Sequence, residues 1–134
     1  LDSTLSTLTG RGDRWSVAQV QSTLPAGFAG ESTTAEIVLH PNGRWLYGSN
    51  RGHDSLALFD LSADPTRPRA AGHVATAGAS PRHFTLSPAG DRLIAANQGG
   101  HTLQLLPADP AAAAGAKPLA EARVMAPVCV LPVG

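Results

Sequence analysis

A segment of the chain repeats itself 47 residues later: Glu36 to Phe59 aligns without a gap on His83 to Leu106, with eight identities in 24 positions. Both copies read as an apolar stretch, a Pro-x-Gly turn, a second apolar stretch, an Asn-x-Gly turn and a third apolar stretch. The matching residues are Leu39, Pro41, Gly43, Leu46, Asn50, Gly52, Leu56 and Leu58 against Leu86, Pro88, Gly90, Leu93, Asn97, Gly99, Leu103 and Leu105. A period of about 40 to 50 residues that holds several short strands is the signature of propeller blades. The predicted fold is all-β: roughly two four-stranded blades with flanking strands. A closed propeller needs about four to eight blades, whereas 134 residues hold fewer than three repeats of 47 and do not begin with Met. The expectation is a single partial propeller domain, a C-terminal fragment of a longer ring whose N-terminal blades lie elsewhere.

Turn residues set the boundaries. Trp15 to Leu24 alternates apolar and polar side chains as a half-buried outer strand does, so residues 1–24 read as the end of a preceding blade. After the Gly- and Pro-bearing loop Pro25 to Thr33, a blade is predicted over 34–76, opening with Thr34 to Leu39 as its innermost strand. In His40-Pro41-Asn42-Gly43, Pro suits the second position of a type I turn and Gly the position that needs positive φ. A second blade is predicted over 83–125. Its connector Pro107 to Pro118 is low-complexity and expected to be exposed, its four alanines too few and too hemmed in by Pro to nucleate a substantial helix. Ala126 to Leu131 aligns on Ser80 to Thr85, which makes 126–134 a ring-closing inner strand.

Ten basic and ten acidic residues give zero formal net charge, so no global field favours nucleic acid or an anionic membrane. No stretch reaches the roughly 18 apolar residues of a membrane helix. Cys129 is the single cysteine; it excludes an internal disulfide, and its apolar neighbours Val128, Val130 and Leu131 predict a buried, inert thiol in a strand. No His or carboxylate spacing suggests a metal site. Arg11-Gly12-Asp13 spells an adhesion tripeptide but reads as a turn, and Gly78-Ala79-Ser80 lacks the last Gly of a nucleophile elbow.

Three stretches, TLPAGFAGESTTAEIVLHPNGRWLYGSNRGHDSLALF (Thr23 to Phe59), ASPRHFTLSPAGDRLIAANQGGHTLQLL (Ala79 to Leu106) and APVCVL (Ala126 to Leu131), closely resemble the last blades of the 6-phosphogluconolactonase-type β-propeller lactonases. The TAEI, SNRGHDS, SPR and ANQ elements carry the likeness, being more specific than the Pro-x-Gly hairpins. The resemblance implies a seven-bladed ring, hydrolysis of a small-molecule sugar lactone (6-phosphogluconolactone to 6-phosphogluconate), no cofactor and a cytoplasmic location. It also leaves room for relatives that act on other lactones or as cycloisomerases. A non-catalytic binding or scaffold propeller is the rival reading, because fold does not fix function.

In an up-and-down blade, the turn between strands two and three shares a face with the link into the next inner strand. That sorting sends Arg51, His53, Asp54, Gln98, His101, Glu36, Arg82 and His83 toward one mouth of the channel and the Pro41 and Pro88 turns to the other. A phosphorylated lactone needs cations for its phosphate, a donor near the developing oxyanion and a base for water. Arg51 and Arg82 are the candidates for the anion or oxyanion, Glu36, His53 or His83 for the base, and Asn97 with Gln98 for substrate orientation. Competing structural roles exist: solvated turn residues for Arg51 and His53, turn capping for Asn50 and Asn97, and an ion pair for Glu36, with Arg82 as one partner. His40 and His73 are read as structural.

Overall fold

A computed structural model describes residues 2–113 and 115–133; Leu1, Ala114 and Gly134, which fall at the ends of the expected first and last segments and inside the connector, lie outside the described residues. Strands β1 (Thr4–Arg11) and β2 (Arg14–Ser22) form a hairpin. Strands β3 (Thr33–Leu39), β4 (Trp45–Arg51), β5 (Ser55–Asp60) and β6 (Arg69–Ala75) form one four-stranded antiparallel sheet in chain order. A second such sheet holds β7 (Pro81–Leu86), β8 (Arg92–Asn97), β9 (Thr102–Pro107) and β10 (Ala120–Arg123), with the four-residue helix α1 (Pro110–Ala113) before β10. These are two up-and-down blades, and the hairpin adds two further strands beside the first.

The turn chemistry behaves as the sequence predicts. Gly43 and Gly90 both take positive φ, at 69° and 75°, and their N–H groups bond back to His40 and Ser87 at 2.9 and 2.8 Å. β1 is the strand that the alternation missed. Its partner register runs from Thr4 opposite Ser22 to Arg11 opposite Arg14, which leaves Gly12 and Asp13 as a two-residue turn. The adhesion-like tripeptide is thus a hairpin tip, with Gly12 at φ 61°.

Neither blade has a core of its own. Tyr47, Leu56, Leu58 and Val74 of the first pack against Phe84, Leu86, Leu93, Ala95 and Leu106 of the second. A smaller cluster, Leu5, Ala57 and Phe59 with Leu46 beside it, joins the hairpin to the other face of the first blade. β5 is therefore buried on both faces, Leu56 and Leu58 turned one way and Ala57 and Phe59 the other, which is why it reads as a continuous apolar run.

Three expectations are corrected. The connector is not simply exposed: Ala108 and Ala113 are buried in the inter-blade core. Asp109 makes this feasible, because its carboxylate accepts from the N–H groups of Ala111 and Ala112 and so caps the single turn. Cys129 is exposed, and the tail from Ala126 to Val133 forms no strand. Its pairing partner would be a second strand of the same blade, and no described residues supply one; what the tail keeps is the buried Pro127, aligned with the buried Pro81.

Tyr47 ties the connector down. Its hydroxyl donates to Ala108 O at 2.7 Å, in a site where burial, with help from the Asp109 charge, pushes the phenol up to about 12. Tyr47→Phe leaves that carbonyl unpaired and should cost about 1–3 kcal/mol, read as a lower denaturation midpoint with an unchanged m-value. The outward faces carry Leu8, Trp15, Val17 and Val20 on the hairpin and Leu119, Met125, Val128 and Leu131 at the other end, all exposed. The 134-residue chain on its own is accordingly expected to self-associate; light scattering over a dilution series checks this, and a monomer at all concentrations would contradict it.

Candidate functional site

The site begins with a bulge used twice. Thr34 pairs with Asn50 and Ile37 with Gly48, so Ala35 and Glu36 together oppose Ser49. In the second blade, Pro81 pairs with Asn97 and Phe84 with Ala95, with the same irregularity around Arg82 and His83. A bulge breaks the alternation of a strand and re-aims the residue it contains. Ser49 Oγ accepts the freed Glu36 N–H at 3.0 Å, so the distortion leaves that donor paired.

The two re-aimed residues meet. Glu36 Oε2 lies 3.4 Å from His83 Nε2, with the side chains 32% and 21% exposed, so the pair is reachable by solvent. Glu36 Oε1 also accepts from Ile37 N at 3.1 Å. On the far side of the ring, Val130 N donates to His83 Nδ1 at 3.4 Å. A nitrogen that accepts there carries no proton, which places the imidazole proton on Nε2, toward the carboxylate. Glu36, His83 and Val130 come from three successive inner segments, which together contribute one line of contacts.

Arg51 ends β4 opposite Thr33 and donates from its guanidinium to Thr34 O at 3.1 Å. It lines an open groove of about 310 Å³ with Glu31, Ser32, Thr33, Gly52, Ser80 and Gln98. Two buried polar atoms in this groove, Arg51 Nε and Ser32 Oγ, have no protein partner, whereas buried polar groups ordinarily have one. Glu31 is exposed and adds a carboxylate to the groove lining. Arg82, the first residue of its bulge, is exposed and does not line this groove.

The remaining candidates lie elsewhere. Asn97 is fully buried; its amide donates to Thr76 O at 3.0 Å, and a Cβ on Gly78 would collide with it. Asn50 repeats the device, donating to Thr23 O at 2.8 Å and accepting from Thr23 Oγ1 at 2.7 Å. Each asparagine ties its blade to the residue that follows the preceding outer strand, a structural clamp present in both copies. Sequence alone could have suggested this, since the two are identical in the repeat while their neighbours differ.

His53 is also separate from the Glu36 pair. It sits against Ser55 Oγ at 2.6 Å, the Phe28 ring at 4.9 Å and the His73 ring at 5.2 Å. His73 in turn donates to Thr23 O at 2.8 Å. Burial, then the neighbouring His73, lowers the proton affinity of His53 below its ordinary value, with Asp54 partly opposing. His40 lies on the opposite face, its Nε2 donating to Gly90 O at 2.9 Å and its Nδ1 accepting from Asn42 N at 3.1 Å. Among the described residues, no group of three His, Cys, Asp or Glu side chains is placed to hold a metal, and no helix is long and apolar enough to cross a membrane.

Fold and site together define a β-propeller in which inner-strand bulges bring a carboxylate and an imidazole together, with a separate groove lined by Arg51 and Glu31. The sequence model of a family described as lactonase, 7-bladed beta-propeller, matches residues 1–132. The chain belongs to that family. It is 36% identical over 107 residues to an uncharacterized protein of Lactococcus lactis subsp. cremoris, covering 78% of this chain and 31% of that one. A Sodalis glossinidius protein named 6-phosphogluconolactonase is 35% identical over 93 residues, covering 69% and 28%. The periplasmic gluconolactonase PpgL of Pseudomonas aeruginosa superposes with a TM-score of 0.86 at 29% identity, covering 95% of this chain and 36% of that one. The chain thus spans about a third of the length of the relatives it matches.

Because His53 is disfavoured from taking a proton in the fold, the unfolded chain binds that proton more readily. Its contribution to stability is therefore complete above the ordinary histidine value of 6.5 and is lost as pH falls below it. Melting midpoints at successive pH values should decline from neutral pH toward about pH 5, and His53→Gln should flatten that decline.

Proposed function

We propose that these blades form part of the lactone-hydrolysing mouth of a seven-bladed ring, with a sugar lactone carrying an anionic group, 6-phosphogluconolactone in the first instance, as substrate. The observation that carries this reading is the Glu36–His83 pair, delivered face to face by matching bulges of neighbouring blades. A lactone carbonyl is attacked by water that has given up a proton, and the base must sit within hydrogen-bond reach of that water. Glu36 suits the role: it is partly exposed, and a carboxylate has acceptor capacity beyond its bonds to Ile37 N and His83. His83 has contacts at both nitrogens, which suits it to orient the carboxylate.

The groove at Arg51 serves the anionic end. The Arg51 guanidinium and the Gln98 amide in the groove lining are the donor types that bind phosphate or carboxylate oxygens. Arg82, exposed one residue before His83, supplies a second positive charge at the same mouth. The names borne by the Sodalis and Pseudomonas relatives support lactone chemistry, and the Arg51 guanidinium, with Glu31 across the same lining, is the cation the groove offers to an anionic substituent. The remaining blades complete the channel, so the 134-residue chain alone is proposed to be inactive.

In a seven-bladed protein containing these residues, Glu36→Gln should lower kcat by about 10²- to 10⁴-fold without a change in melting temperature. Arg51→Ala should raise KM for 6-phosphogluconolactone about tenfold or more and leave KM for unphosphorylated gluconolactone within about twofold, since the lost contact is worth about 1.4 kcal/mol or more only where an anion is present. Equal losses on both lactones would remove the anion assignment. Lactone binding with no turnover in any form would favour a binding module.

A further inference from the structure

We propose that Asp54 is a positioning residue of this site: one carboxylate oxygen joins the Arg51 turn to the strand that presents Arg82 and His83 and so sets the width of the groove between them. Asp54 Oδ1 accepts from Gly52 N at 3.1 Å and from Ser80 N at 2.8 Å. Gly52 directly follows Arg51, and Ser80 is two residues before Arg82 in the next blade. Both Gly52 and Ser80 line the Arg51 groove. The opposite side of the same segment is held by its own blade, with Gln98 N donating to Ser80 O at 2.9 Å and Gly100 N to Ala79 O at 3.0 Å. The Asp54 backbone is fixed as well, since its carbonyl accepts from Thr76 N at 3.1 Å and Thr76 Oγ1 at 3.0 Å.

The repeat shows that this is a built device. His101 stands 47 residues after Asp54, and both take a φ of 55°, in the left-handed region that a non-glycine residue rarely enters. His101 Nδ1 accepts from Ala126 N at 3.1 Å, and its carbonyl accepts from Val124 N at 3.0 Å. Ala126 is to the tail what Ser80 is to β7, each preceding a buried proline. The same backbone geometry therefore places an acceptor under the entering N–H of the next inner segment twice, with a carboxylate in one blade and an imidazole in the other. The carboxylate is the stronger acceptor, and it is the one under the segment that leads to His83.

The proposal rests on the lactonase reading for its catalytic consequence but has a structural readout that needs no substrate. Asp54→Asn keeps a side-chain oxygen and tolerates the left-handed φ; Asp54→Gly accepts the φ but deletes the acceptor. Hydrogen exchange by mass spectrometry on the 134-residue chain should show the peptide containing Ser80 exchanging about tenfold faster or more in Asp54→Gly and near the parent rate in Asp54→Asn. His101→Gly should have the matching effect on the peptide containing Ala126 and leave Ser80 protected. In a seven-bladed protein containing these residues, Asp54→Gly should raise KM for 6-phosphogluconolactone about tenfold or more, as expected when a positioning contact moves an anion site, with Asp54→Asn restoring most of it. Unchanged Ser80 exchange in Asp54→Gly would overturn the strut itself. Faster exchange with unchanged KM and kcat would overturn its positioning role. If the parent shows no lactone turnover, the lactonase reading falls and the exchange result alone decides the strut.

Discussion

A four-stranded blade has two apolar faces and no second layer, so it can leave water only by stacking on another blade. The hydrophobic burial that holds this chain together lies between sheets: the cluster running from Tyr47 and Leu56 to Phe84 and Leu106 spans both blades, and Leu5 reaches the first blade from the hairpin. Stability in such an array is a property of interfaces between neighbours. The site follows from the same constraint, because Glu36 and His83 can meet only when the two inner strands that carry them are held side by side by this packing. A cavity made by truncating Phe84, fully buried at the interface, would loosen the Glu36–His83 contact as well as the core.

Polar bonds then fix what apolar packing leaves free. Hydrophobic contact is non-directional and does not by itself set how far one blade slides along the next. Asn50 and Asn97 do so from buried positions, each binding the backbone after the preceding outer strand, and Tyr47 adds a tie to the connector. Buried polar groups of this kind specify one arrangement at a high cost if a partner is lost. The strand-two-to-strand-three turns are therefore crowded: Gly52 would place a Cβ against Glu31 O, and Gly99 comes close to Ser80. Glycine there answers a close approach of backbone to backbone as much as a turn conformation.

Blade class was legible in the sequence, because it rests on turn chemistry and the 47-residue period. What escaped was whatever depends on a neighbour. β1 was missed because TLSTLTGR carries few large apolar residues, and its strand character comes from pairing with β2. The connector looked solvated because Ala108 and Ala113 are small, yet small residues are what fits beneath a sheet edge. Cys129 looked buried because its neighbours are apolar, but apolar sequence marks a surface that needs a partner, which these residues do not supply. In the site, the Glu36–His83 meeting was foreshadowed by their equivalence in the repeat. The bulges that aim them were invisible, since a bulge is a property of two strands.

The repeat also separates structure from function within one chain. Positions where both copies agree include Asn50 and Asn97, whose side chains bind the backbone after the preceding outer strand, and Gly52 and Gly99, where the turn passes close to the segment entering its own blade's inner strand. Positions where they diverge include Glu36 against His83, which contact one another, and Arg51 against Gln98, which line one groove. A symmetric ring of identical residues would put like charges together at its axis and would disfavour their ionisation. An imidazole in one copy, opposite the carboxylate of the other, replaces that repulsion with the Glu36–His83 contact. Asp54 and His101 occupy the middle ground: the backbone geometry and an acceptor for the next inner segment are retained while the acceptor changes from carboxylate to imidazole.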